Sequence, residues 1–307
     1  MDSGNYRLAF AGNRVAIEWR GKAARELLEF LFDGIRGDSA WPTTETFKLI
    51  CASRTGGGSV TGETSFALYR GDRRVYQGPG SGVAAGILLN QAIHALADPC
   101  KEGLMLHAAA LARFDRGVLL PAVSGSGKTT SAACFTACGF DYLTDELVFI
   151  DKASARLSAF CRPLHLKTPA IRTMERITGL ELREDPSRGV RAGVLRSREG
   201  VLVSATLLNP GTLYSTPPVK LIVFPKYRPG APLDLRRLSK AEAGMRLMES
   251  LVNARNLTRH GLDEVTRLVR QAPAYAVTYG QVEQSRAAIR SLIDQPSPDS
   301  AEVGVQT

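Results

Sequence analysis

GVLLPAVSGSGKTTSAACFTACGFDYLTDELVFID, residues 117–151, is the stretch that decides the fold. Val118-Leu119-Leu120 is an apolar run of the kind that forms a buried strand. The chain then breaks into Ser124-Gly125-Ser126-Gly127-Lys128-Thr129-Thr130 and resumes as a helical pattern that stops near Gly139. A second strand is expected from Tyr142 to Ile150, carrying the adjacent acids Asp145 and Glu146. Strand, glycine-rich turn, Lys-Thr and helix, in that order, are what a phosphate-binding loop requires.

The residue types follow from the chemistry. Gly125 and Gly127 allow backbone conformations closed to residues with a Cβ, so successive N–H groups from Ser124 to Thr130 can turn toward phosphate oxygens. A helix beginning at Lys128 aims its positive end at the same place. Lys128 can bring an ammonium to the outer phosphates, and the Thr129 hydroxyl can ligand Mg²⁺. Position 122 is Ala where the pattern G-x-x-x-x-G-K-[ST] has Gly. A Gly/Ser-rich turn also occurs as a plain strand-to-helix connection, and the in-register Lys-Thr-Thr separates the two readings.

Asp145 follows Lys128 by 17 residues. That leaves room for a helix of about ten residues, roughly 15 Å long, then a turn and half a strand. The next strand can therefore return Asp145 and Glu146 to the mouth of the loop. The plainer alternative is that the two acids cap a solvated strand end; their position inside an apolar run argues against it.

These segments carry a family resemblance. His107 in Met105-Leu106-His107-Ala108, the loop from Ala122 to Thr129, and Leu143-Thr144-Asp145-Glu146 together resemble HPr kinase/phosphorylase. The nucleotide fold of that family is related to that of phosphoenolpyruvate carboxykinase. The resemblance is specific over residues 103–151, loose to about residue 295, and does not reach residues 1–98. It implies an α/β P-loop kinase core of that type and a reaction that needs ATP and Mg²⁺. By the same resemblance, Lys128 holds the triphosphate, Thr129, Asp145 and Glu146 serve the metal, and His107 orients phosphate or acceptor. Asp145 is the expected general base. Two departures stand out: Ala122 for the first glycine, and Glu146 where the family has a second aspartate. The arginine-glycine signature of the family is not intact, and Arg188-Gly189 and Arg191 are its partial counterparts. The resemblance thus favours a kinase over a phosphorylase, closer to the HPr-kinase-like proteins of modified-peptide biosynthesis than to the sugar-regulatory enzyme. The expected acceptor is a serine hydroxyl of a peptide or small protein, such as a precursor peptide encoded nearby. A small-molecule hydroxyl kinase and a nucleotide-switched binding module that transfers nothing are the alternatives.

Composition sets outer limits. The 307 residues are 44% hydrophobic and 22% charged, ordinary for a globular chain of one large or two modest domains. The formal net charge of +9 invites a nucleic-acid reading. The arginines are spread along the chain and no basic run with interleaved aromatics occurs, so attraction to phosphates, an acidic acceptor or an anionic surface is equally compatible. Cys51, Cys100, Cys134, Cys138 and Cys161 lack the paired spacing of a zinc site. With no signal-peptide pattern and no bilayer-length apolar run, a cytoplasmic protein is expected.

The first 98 residues read as an α+β module. It comprises a hairpin over 5–20, a helix over Ala23–Phe32, a strand over Phe47–Ala52, a hairpin over Ser65–Gln77 and a helix over Val83–Ala97. Gly56-Gly57-Gly58-Ser59 has no Lys-Ser/Thr after it and is assigned to a turn. The module is expected to serve acceptor docking or homo-oligomer contacts. Residues 99–294 form the expected nucleotide-binding domain. Leu104–Ala112 is a strand carrying His107; Arg162, His165 and Lys167 are possible cleft cations. The arginine-rich stretch 181–199 is either a solvated face or a lid. Lys220–Tyr227 is a strand ending at Pro225, and Ser239-Lys240-Ala241-Glu242 opens a helix to about Leu257. Helices over Leu262–Gln271 and Gln281–Ile293 flank a strand over Tyr275–Tyr279. Residues 295–307 are expected to be a disordered tail.

Overall fold

The computed structural model describes residues 2–37, 42–53, 64–123, 125–183, 189–212 and 215–294. The Gly56–Ser59 turn, Ser124, Arg188 and the 295–307 tail lie outside them. The fold is mixed α/β with eight α-helices among the described residues.

The N-terminal part is a five-stranded sheet in the order β1-β2-β3-β4-β5. Its strands are β1 (Ser3–Phe10), β2 (Asn13–Arg20), β3 (Glu45–Ser53), β4 (Thr64–Arg70) and β5 (Arg73–Pro79). Only β2 and β3 run parallel, and α1 (Lys22–Phe32) lies in the crossover between them. Ala24, Leu27, Leu28, Leu31 and Phe32 of α1 are buried, the spacing of one helical face. Burying each of the leucines is worth about 1.5–3 kcal/mol. α2 (Ser81–Ala97) packs on the same sheet and ends the module.

The larger part is built on an eight-stranded sheet. It starts with β6 (Gly103–Arg113) and β7 (Arg116–Pro121), an antiparallel hairpin whose Phe114 and Asp115 both have positive φ. Such a two-residue turn matches the twist of the strands it joins. Next come α3 (Lys128–Thr136), β8 (Asp141–Thr144), β9 (Leu147–Asp151) and β10 (Leu157–Ala159). β11 (Leu164–Lys167), α4 (Thr168–Thr178), β12 (Val194–Arg196), β13 (Gly200–Val203) and α5 (Ala205–Leu208) follow. The chain ends with β14 (Val219–Tyr227), β15 (Asp234–Arg237), α6 (Lys240–Ser250), α7 (Leu262–Gln271), β16 (Ala274–Tyr279) and α8 (Val282–Asp294). The sheet order is β10-β9-β6-β7-β14-β16-β15, with β8 paired to the second half of β6. β7, β14 and β16 form its parallel centre. β11, β13 and β12 make a separate three-stranded sheet that packs with α4 against α3.

Successive residues of β7 point to different cores. Leu119 belongs to a cluster shared by the N-terminal sheet, α6 and α7. Val118 and Leu120 belong to a second cluster formed with α3, α4 and α8. A strand buried on both faces reads as a continuous apolar run. The first cluster crosses from one sheet to the other: Phe10 meets Phe149 and Phe160 edge-on, and Phe32 meets Phe160.

Three expectations need correction. The strand expected over Tyr142–Ile150 is broken into β8 and β9 at Asp145-Glu146. Thr144 causes the break: its hydroxyl donates to Phe160 O and accepts from Glu146 N. β14 does not end at Pro225 but continues to Tyr227. Ile222 N bonds toward β16 and Tyr227 N toward Ser126 O on the other side. The nitrogen of Pro225 therefore faces the β7 side, beyond the last β7 pair at Ile222, and no ladder bond is lost. Helix α6 stops at Ser250 rather than near Leu257. There Leu251 bridges Leu106 and Val252 N donates to Met105 O. The buried Asn253 amide then bonds Met105 N, Cys100 O and Gly103 O.

Candidate active site

The turn after β7 is shaped by two glycines in the left-handed region, Gly125 at φ +84° and Gly127 at φ +97°. Gly127 is also crowded, because a Cβ there would overlap the Tyr279 hydroxyl and stand 3.3 Å from Tyr227 Cβ. Tyr279 is held in place by its 2.9 Å hydrogen bond with Ser131 Oγ. Tyr227 N donates to Ser126 O at 3.1 Å, fastening the turn to the end of β14. Ala122 is not among the residues with positive φ, so the first position of the turn does not need the missing glycine. α3 begins at Lys128, directly after Gly127.

Lys128 is 6% exposed. Its ammonium donates to the carbonyls of Ala122 and Val123 and lies 3.3 Å from His107 Nε2. Burial lowers the Lys128 pKa, against the opposing pull of Glu146 and Asp145. An ammonium can only donate, so the Nε2 that faces it presents its lone pair. His107 Nδ1 then points to Glu146, at 3.1 Å from its carbonyl and 3.4 Å from Oε1. β6 carries His107 and β7 leads into the turn, so the hairpin itself sets this contact.

The two acids sit at the break between β8 and β9. Asp145 is 2% exposed. Its Oδ1 accepts from Tyr142 Oη at 3.1 Å and from Arg162 Nε at 3.2 Å, and Arg162 Nη2 is ion-paired with it at 3.2 Å. Its Oδ2 is buried without a partner. Arg162 Nη2 also reaches Glu146 Oε2 at 3.0 Å. Burial would raise the Glu146 pKa, but the hydrogen bond from His107 and the charges of Arg162 and Lys128 outweigh it and hold the group at about 2. Tyr142 titrates well above its ordinary range because it is fully buried beside Asp145.

His107, Lys128, Asp145, Glu146 and Arg162 front one cleft of about 730 Å³. Gly125, Gly127, Thr129 and Thr130 line it together with these. His165 and Lys167 of β11 and residues of α4 form the wall. His165 is bonded to Ser197 and Lys167 is paired with Glu199. Burial and the nearby Arg162 lower the His165 pKa. Tyr227 and Gln281 also line the cleft. Among the described residues no group of three or more His, Cys, Asp or Glu side chains is placed to hold a metal ion. Mg²⁺ bound through substrate phosphates needs only one or two carboxylates. Asp145 and Glu146, adjacent on the cleft, supply two.

The arginine-rich stretch reaches the cleft lining through Glu199, while Arg188 and the Arg191 side chain lie outside the described residues. Arg183, Arg196 and Arg198 are exposed and outside that lining. Sequence reasoning placed Arg162 only as a possible cleft cation and missed its grip on both acids. It also missed Tyr142 under Asp145 and Tyr279 behind Gly127. Arg162 lies 17 residues from Asp145 across strand edges, a separation that follows no helix or strand period.

No protein-family model matches the chain, and no curated protein matches it. No helix among the described residues is long and apolar enough to cross a membrane.

Proposed function

We propose that this chain is a phosphotransferase with a P-loop core of the HPr kinase/phosphoenolpyruvate carboxykinase type. It would transfer the γ-phosphate of ATP to a hydroxyl, a serine of a peptide or small protein, in the cytoplasm. The observation that carries this reading is the common cleft. The Lys128 ammonium, the Gly125–Thr130 turn and the two acids all open onto it, and Asp145 keeps one oxygen without a partner.

The residues divide the work. The backbone of the turn and Lys128 would bind the triphosphate, Lys128 exchanging carbonyl oxygens for phosphate oxygens. Thr129 and Glu146, with Asp145 beside them, would hold Mg²⁺, which when bound neutralises charge on the phosphates. Asp145 Oδ2 would accept the proton of the incoming hydroxyl. His107 orients the Lys128 ammonium and Glu146 through its two ring nitrogens. Such a site works by positioning and fixed charge rather than by covalent chemistry.

The test is to incubate the protein with γ-labelled ATP, Mg²⁺ and serine peptides encoded by neighbouring genes, and to locate the label by mass spectrometry. Label on a peptide serine is expected. Label only on free amino acids or sugars would make it a small-molecule kinase. ATP binding with no transfer to any acceptor would make it a nucleotide-switched binding module.

A further inference from the structure

We infer that Arg162 is the positioning residue of this site, a clamp that fixes both acids and leaves Asp145 Oδ2 as the free oxygen. The assignment of that oxygen as base rests on the phosphoryl-transfer reading; the clamp itself rests on contacts. Asp145 Oδ1 has three polar contacts, two hydrogen bonds and one ion pair, and Oδ2 has no hydrogen-bond partner. Two of the three come from Arg162, whose Nη2 also holds Glu146 Oε2. A planar guanidinium can grip two carboxylates at fixed angles, which the point charge of a lysine cannot do. The Arg162 side chain is only 10% exposed, and a guanidinium taken that far from water is tolerated because it is paired.

The clamp is held from behind by the N-terminal module. Phe160, two residues before Arg162, is 0% exposed. Its ring meets Phe10 at 5.7 Å and Phe32 at 6.2 Å. Its backbone is bonded on both flanks of the acid pair, with its N–H donating to Leu147 O and its carbonyl accepting from Thr144 Oγ1. Glu29, Phe30 and Asp33 of the segment around α1 border a small hollow, about 100 Å³, whose other wall is Cys161-Arg162-Pro163. The N-terminal sheet thereby reaches the cleft through Phe160 and Arg162 although it lines none of it.

Arg162→Gln and Arg162→Lys test this with γ-labelled Mg·ATP and a serine peptide acceptor. For Arg162→Gln, kcat is expected to fall about a hundredfold, the scale of a small misplacement of reacting groups, while the KM for ATP stays within about threefold. Arg162→Lys should recover little, and added guanidinium should restore part of the Arg162→Gln turnover. A kcat per folded molecule within about threefold of wild type would overturn the inference, and so would a loss confined to KM. If the wild-type protein transfers phosphate to no acceptor, it is the kinase reading that fails, and melting curves then decide the clamp. Arg162→Gln should lower Tm by on the order of 10 °C by stranding a buried carboxylate, and adding Asp145→Asn should raise it again. Additive losses in the double variant would overturn the clamp.

Discussion

Lys128 Nζ lies 3.3 Å from His107 Nε2, with the carbonyls of Ala122 and Val123 as its other partners. The amine is thus held at the cleft by neutral acceptors, which on the phosphoryl-transfer reading it exchanges for anionic ones. Lys128→Ala is expected to lower kcat by about a hundredfold or more, as is Asp145→Asn, the scale of losing one stabilising group. Steady-state transfer from γ-labelled ATP measures both. Near-normal turnover in Asp145→Asn would remove that residue as the base.

The two glycines of the turn are expected to respond differently to a methyl group. Gly125→Ala meets open space and carries only the cost of its φ, about 1 kcal/mol. Gly127→Ala carries a similar cost and must also displace Tyr279 from Ser131, for a total of about 2–4 kcal/mol. Urea denaturation compares the two, and equal losses would mean that the Tyr279 ring yields freely.

Glu146 makes stability depend on pH in a defined window. Its folded pKa of about 2 lies below the ordinary 4.5, so the folded state prefers the ionised form. Its contribution is therefore fully present above about pH 4.5 and is lost as pH falls toward 2. Glu146→Gln should flatten the acid side of the stability curve in that window. An unchanged acid limb would show that Glu146 is not held by His107 and Arg162.

Thr144 shapes the acid pair without touching the cleft. Thr144→Val keeps the volume and removes bonds to Phe160 O and Glu146 N. A loss of about 1–3 kcal/mol is expected from the polar groups left behind, together with a fall in kcat greater than any change in ATP affinity. Wild-type kcat in this variant would mean that Asp145 and Glu146 keep their places without the hydroxyl.

The parts of this site legible in the sequence are those set by local pattern. Apolar runs mark β6 and β7, Gly127 before Lys128 marks the start of α3, and Ser239 with Glu242 marks the start of α6, where the Ser239 hydroxyl accepts from Glu242 N. The chain between Lys128 and Asp145 is short enough to bring the acids back to the turn. The break at Asp145-Glu146 was not legible, because it depends on Phe160 O, a group 16 residues beyond Thr144. Arg162 was ambiguous for the same reason, since its partners are chosen by strand pairing between β9 and β10. The length of α6 was overestimated because Leu251 and Val252 continue its apolar stripe in sequence but bond to β6 in space.

Phe10 and Phe32 close over Phe160 inside one apolar cluster, so the first sheet and the segment leading to Arg162 share one body of packing. Calorimetry should record one melting transition, and whatever loosens the first sheet should disorder the Asp145-Glu146 end of the cleft at the same temperature.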